Sequence, residues 1–286
     1  MIRKKAFLFA GIIFLAILVL AVSLIVSEAL IESDSHIKPD YLPENLLPVL
    51  QKKSLSEEDF RQIFYQTGLG QVAVNEILQN SADPVQDIIS YQNSFFQDIS
   101  IVCKKNSIIS KQESINTAGN NNKGAQITNL KDGDILITNA SHVFGWRNGH
   151  AAIVVQGKDR RTLESVVLGT NSSVQSVDDW SSYPNFMVLR LKNTSDDVRQ
   201  KIAYEAHETL ADIPYDFMVG LTSSKFSESN KIKGTQCSHL VWHAFMRFGF
   251  DLDSDGGRIV TPKDIANSPL LEIVQVYGVD PDDIWP

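Results

Sequence analysis

"GTQCSHLVWHAFMRFG", residues 234–249, contains Cys237, the second of only two cysteines in the chain. Leu240, Val241, Ala244, Phe245 and Phe248 recur at helical spacing on one face, and Gly249 is a suitable stop. Cys237 then falls in the first turn of a helix, where exposed amide groups and the helix dipole favour an anion. A thiol placed there can have its pKa lowered from about 8.5 to about 3.5–7.5. A buried cysteine acting as a small hydrophobe fits the same position. Position alone leaves both readings open.

A nucleophilic thiol needs a base, and the base needs an orienting group. His36 lies in a polar spacer, His142 in a loop and His207 on a helix predicted over 195–212. His239 and His243 share the helix of Cys237 but do not face it across one turn. His150 differs, because it opens the apolar run "GHAAIVVQG", 149–157, which reads as a strand. The next predicted strand, "RTLESVVLG", 161–169, carries Glu164. If the two strands form a hairpin, His150 and Glu164 lie near the same end and can pair across it.

The chain has 286 residues, 43% of them apolar and 21% charged, enough for one or two ordinary domains. A net charge of -8 argues against a nucleic-acid partner, which needs a basic footprint. Arg3, Lys4 and Lys5 precede an uncharged run over 6–26. As a helix this run reaches across a hydrocarbon core of about 30 Å, and its basic flank belongs on the cytoplasmic side. The expectation is an anchor or uncleaved signal over 1–30, with the membrane as a partner and the remainder extracytoplasmic. Cleavage near Ala29 is the competing reading. A spacer over 31–44 follows. "SLSEEDFRQIF" suggests a capping box of Ser54 with Glu57, and helical periodicity then continues through 102. The predicted divisions are a helical subdomain over 45–113, a linker loop over 114–129 and a catalytic domain over 130–286. Strands at 133–139, 149–157, 161–169 and 185–191, with helices at 195–212 and 236–248, predict an α+β domain with an antiparallel sheet.

Taken in order, "GDILIT", "GHAAIVV", "PYDF", "QCSHLVWHAFMRFGFDL" and "VTPKDI" resemble the papain-like cysteine peptidases of the NlpC cell-wall hydrolase superfamily. The histidine strand precedes the cysteine helix, as in the circularly permuted branch of YiiX/YebB or YycO type. The resemblance covers about residues 130–275. It implies a permuted papain-like fold with Cys237 as nucleophile, His150 as general base and Glu164 as orienter of the imidazole. It implies a substrate-contact or oxyanion role for Tyr215, and no cofactor or metal. The implied enzyme is an amide-cleaving thiol hydrolase acting on bacterial cell-wall peptide. An acyltransferase or thioesterase on lipid or thioester substrates, and an inactive wall-binding module, are the alternatives.

Three other signals read as structural. "DLDSDGG", 251–257, starts like a calcium loop but has Pro262 where a bidentate glutamate is required. His239 and His243 have the spacing of a zinc site without the glutamate of the metalloprotease motif. Cys103 is expected to stay a thiol, since pairing with Cys237 would consume the nucleophile. Trp146 and Trp180 fit either a core or a groove.

Overall fold

The computed structural model describes residues 2–285 except 31–34, 108–109, 118–123, 144 and 227–231. Parts of the expected spacer and of the expected linker therefore lie outside the described residues. The first helix, α1, runs Ile2–Leu30. Its side chains are described without a break only over 11–27, nearly all of them exposed. Among the described residues no helix is long and apolar enough to cross a membrane.

Four helices follow: α2 (Leu47–Leu50), α3 (Glu57–Thr67), α4 (Gln71–Asn80) and α5 (Pro84–Phe95). The capping box forms two residues later than expected, at Ser56 with Asp59, whose side chains and backbone amides bond reciprocally. Helix α5 stops at Phe95, short of the expected end at 102. The residues beyond it are β-branched or long and polar, and they form a hairpin of β1 (Ile101–Lys105) and β2 (Ser110–Ile115).

The remaining strands are β3 (Ile135–Thr138), β4 (Ser141–Val143), β5 (Trp146–Arg147), β6 (His150–Gln156), β7 (Arg161–Glu164), β8 (Ser173–Ser176), β9 (Phe186–Leu191) and β10 (Leu271–Tyr277). A six-stranded antiparallel sheet has the order β10-β9-β3-β6-β7-β8, and a four-stranded one the order β1-β2-β4-β5. The fold is α+β with antiparallel sheets. Helices α6 (Asp196–Leu210) and α7 (Cys237–Met246) pack on β6, α8 (Pro262–Ala266) packs on β3, and α4 packs on β10. Covered on both faces, the central strands lose the polar alternation of a half-exposed sheet: every residue of β3 and β9 is buried. Ser195 stands at the N-cap of α6 as expected, but its side chain makes no capping bond.

The "TGLG" stretch between α3 and α4 has a definite task. Leu69 bridges Gln275, Gly70 N–H donates to Val274 O at 2.9 Å, and Val276 N–H donates to Gly68 O at 2.8 Å. The helical stretch thereby covers the open edge of β10, which would otherwise expose unpaired backbone groups. Buried residues of α3, α4 and α5 join those of the sheet in one hydrophobic cluster. Gly68 has φ +71°, and a Cβ there would lie 2.0 Å from Val276 O. Gly249, just past α7, has φ +82° with open space around it.

These two glycines separate backbone strain from steric overlap. Gly249→Ala should cost about 1–2 kcal/mol, the left-handed penalty alone. Gly68→Ala should cost more, because a backbone oxygen cannot swing aside as a side chain can. Urea unfolding of both variants measures the difference. Equal losses would mean that the contact of Gly68 with β10 is not tight.

Candidate active site

Helix α7 begins where Gln236 takes the N-cap. Gln236 Oε1 accepts from Ser238 N–H at 3.1 Å and from Ser238 Oγ at 2.9 Å, while its Nε2 donates to Val260 O at 2.8 Å. Cys237 Sγ lies 3.4 Å from the same Oε1. The start of the helix is thus fixed from both sides, and the thiol is nearly buried.

Beneath α7, β6 presents Ala151 and Ala152, both fully buried. Consecutive strand side chains point to opposite faces, so one of the two lies under α7, and its small size lets the helix approach the strand. His150 begins β6 and pairs with Thr138 of β3. Counting back from the Ile153–Leu163 pair, Glu164 stands opposite Ala152. His150 is then one diagonal step away on the same face, within reach of a carboxylate. His150 Nε2 and Glu164 Oε2 are 2.7 Å apart. The other ring nitrogen, Nδ1, is left for Cys237, whose side chain hydrogen-bonds the imidazole. The structure therefore brings Cys237, His150 and Glu164 into one chain of contacts.

Two more groups hold the carboxylate. Thr162 Oγ1 donates to Glu164 Oε1 at 2.5 Å, and Trp180 Nε1 donates to the same oxygen at 2.8 Å. Trp180 belongs to a 3-10 turn, Val177–Ser182, and its ring stacks on His150 at 5.6 Å with 21° between planes. It is buried, so the question of core or groove resolves in favour of a wall beside the imidazole. Its sequence signal was weak, because nothing in "SVDDWSSYP" marks a turn that folds back over β7. Trp146, by contrast, is largely exposed on β5.

Each charge in the chain has a cause. For His150, burial disfavours the imidazolium, but hydrogen bonds to Cys237 and Glu164, with their charges, push the pKa up to about 10. For Cys237, burial opposes ionisation. The His150 hydrogen bond and charge, with the amides of Ala151 and Ser238, bring the thiol below its ordinary value. Burial likewise opposes ionisation of Glu164, while His150, Thr162 and Trp180 hold it below the usual carboxylate range. All three shifts run in the direction that favours a thiolate–imidazolium pair backed by a carboxylate.

Tyr215 sits next to this chain. It bridges Thr235 in parallel, just before α7, and its N–H donates to Thr170 O at 3.0 Å. Burial and the charge of Cys237 push its hydroxyl well above the ordinary tyrosine value, so it remains a donor. Tyr183 is raised by burial, with smaller contributions from the charges of Glu164 and Cys237.

The other histidines lie elsewhere. His239 is held by Thr235 Oγ1 at 2.9 Å and by Lys225 O at 2.8 Å, and burial lowers its pKa. His243 packs against His239 and Phe226. His142 pairs with Glu113 at 2.7 Å, and His207 with Glu208 at 3.1 Å. Asp253, Asp255 and Asp264 bring carboxylate oxygens within 4.8 Å of one another. Lys225 already supplies a cation there, donating to Asp253 and, at 2.8 Å, to Gly257 O. Cys103 sits in β1 opposite Glu113 and is not joined to Cys237.

No protein-family model matches the chain, and no curated protein matches it. Among solved structures it is similar to YiiX, described as a metalloprotein from Escherichia coli O157:H7. The match has 16% identity and a TM-score of 0.39, and covers 51% of this chain and 97% of that one. A likeness of that strength fixes neither fold nor chemistry.

The ion pair has a pH signature. With the Cys237 pKa lowered, alkylation by iodoacetamide should already be fast at mildly acidic pH. Glu164→Gln removes the charge that favours the imidazolium, so the His150 pKa falls and that of Cys237 rises. Each unit of rise lowers the thiolate fraction below the pKa about tenfold. His150→Ala should slow acidic labelling further, and all three proteins should converge at alkaline pH. The profile reports the pair and not one residue. Three superimposed curves rising only near an ordinary thiol pKa would show that no pair forms.

Proposed function

We propose that this protein is a papain-like thiol hydrolase that cleaves an amide through an acyl-enzyme on Cys237, with bacterial cell-wall peptide as the substrate class. The observation that carries the reading is the contact chain Cys237–His150–Glu164 at the first turn of a buried helix. The order of motifs over 130–275 supports it.

In the first half-reaction the Cys237 thiolate attacks the amide carbonyl. A carbon–sulfur bond forms, and the carbonyl electrons move onto oxygen. The first amide groups of a helix lack internal acceptors, so the Cys237 N–H is the first candidate donor to that oxygen. The Tyr215 hydroxyl, kept protonated, is a second candidate donor. As the carbon–nitrogen bond breaks, the His150 imidazolium gives its proton to the departing amine. In the second half, neutral His150 takes a proton from water, which attacks the thioester and releases the acid and the thiolate. Glu164 touches no reacting atom. It holds His150 through Nε2 and stabilises the imidazolium, which is a positioning role.

The N-terminal helix completes the reading. Helix α1 contains the uncharged run 6–26 behind Arg3, Lys4 and Lys5. We infer that it anchors the chain, with the catalytic domain extracytoplasmic. Cell fractionation should place the full-length protein with the membranes. Soluble protein with a mature N-terminus near residue 30 would mean that the segment is a cleaved signal.

Purified cell-wall peptides should be turned over at mid pH, with activity falling at acid as the thiolate is protonated and at alkali as His150 loses its proton near pH 10. Cys237→Ala should reduce turnover to background, and His150→Ala by about 10²–10⁴-fold. Product analysis on peptides against acyl thioesters decides between amidase and thioesterase. Wild-type turnover by Cys237→Ala would remove the nucleophile assignment altogether.

A further inference from the structure

A cleft of about 490 Å³ opens against Glu164, Trp180 and Tyr183. This is within the range of about 300–1,000 Å³ for small-molecule sites. Neither His150 nor Cys237 lines it. The cleft adjoins the site through its own wall, where Glu164 lies 2.7 Å from the His150 imidazole and Trp180 stacks on its ring. A substrate with its scissile bond at Cys237 therefore has this cleft beside it.

One wall comes from the β1–β2 hairpin, which lies outside residues 130–275. The hairpin is tied to the catalytic strands. Gln112 of β2 pairs with Ser141 of β4, only a short step after β3, which pairs with His150. Glu113 in β2 is fully buried and is held by His142 at 2.7 Å, Arg147 at 2.8 Å and the Ser35 N–H at 3.0 Å. A buried carboxylate with this many partners fixes the register of the hairpin against the site.

The lining is unlike a lipid-binding surface. Asn106, Gln112, Asn171 and Gln175 present amides, beside about as much apolar surface from Val166, Val167 and two aromatic rings. Desolvating such groups against an acyl chain would leave them unbonded, which is unfavourable. Two charges of opposite sign face the space: Lys104 from β1 and Asp179 from the 3-10 turn. Among the described residues neither forms an ion pair. Glu164 does not serve as the acid here, since His150, Thr162 and Trp180 already occupy it.

We propose that this cleft is a recognition subsite for a short peptide segment with free ends, with Lys104 binding its carboxylate and Asp179 its ammonium. The proposal rests on the amide-hydrolase reading and names the part of the substrate beyond the scissile bond. Lys104 and Asp179 are specificity residues, supplied in part by a hairpin that the catalytic motifs do not include.

The test uses the full chain carrying Cys237→Ala, so that binding is read without turnover. Calorimetric titrations compare tri-alanine, its N-acetyl form, its C-terminal amide and the doubly blocked form. Tri-alanine should bind most tightly. Adding Lys104→Ala should weaken tri-alanine and the N-acetyl form about tenfold, or about 1.4 kcal/mol, and leave the C-terminal amide unchanged. Asp179→Asn should do the reverse, weakening only forms with a free ammonium. Both residues are exposed, so neither change threatens the fold. Uniform weakening of all forms, no weakening of any, or equal binding of the doubly blocked peptide would overturn the proposal. If the charge-selective pattern holds while wild-type protein cleaves no peptide, the cleft assignment stands and the hydrolase reading fails.

Discussion

A carboxylate with 5% of its surface exposed is stable as an anion only if its surroundings replace the water it has lost. Glu164 meets this condition with a cationic imidazole and two neutral donors. The rest of the site depends on that arrangement. His150 can stay charged at high burial because Glu164 lies on one side and the thiolate on the other. Cys237 can lose its proton at equal burial because the imidazolium and two amides face it. The three groups alternate in sign, so each offsets the desolvation of its neighbour, and removing one leaves the others uncompensated.

The backbone makes the alternation geometrically possible. Glu164 is the last residue of β7, His150 the first of β6, and Cys237 the first of α7, so every member sits at an element's end. Trp180 then covers the pair. Its ring lies over the imidazole while its N–H reaches the carboxylate, and by excluding water it strengthens both hydrogen bonds. A second buried network fixes the sheet on its other side. Arg190 of β9 reaches Asp134 with two hydrogen bonds of 2.7 Å and Glu76 of α4 with a third, joining the helical stretch to the strands that frame the site.

Much of the site was legible because its members announce themselves locally. "GHAAIVV" reads as a strand with a polar first residue, and "QCSHLVW" as a helix with its cysteine in the first turn. The same holds for the core strands, whose unbroken apolar runs follow from burial on both faces. What escaped was non-local. Trp180 acts across a turn that its own neighbours do not specify. β1 and β2 are short segments that pair with each other, and β2 in turn pairs with β4 from beyond the intervening loop. Ser54 and Ser56 are chemically equivalent candidates for a cap, and packing selects the latter. The "TGLG" break was visible as a break, but its partner is a strand some 200 residues later in the chain.

The occupancy of Glu164 also limits what the neighbouring cleft can do. A carboxylate offers about four lone-pair sites. Thr162 and Trp180 take those of Oε1, and His150 takes one of Oε2. A substrate cation bound at Glu164 would compete with the imidazole for the same negative charge. The His150 pKa would fall, and with it the thiolate fraction of Cys237. A cleft that recognised ammonium through Glu164 would disable its own nucleophile on binding. Placing a separate acid, Asp179, on the 3-10 turn avoids that conflict. One carboxylate then holds the base, and the other is free to meet the ligand.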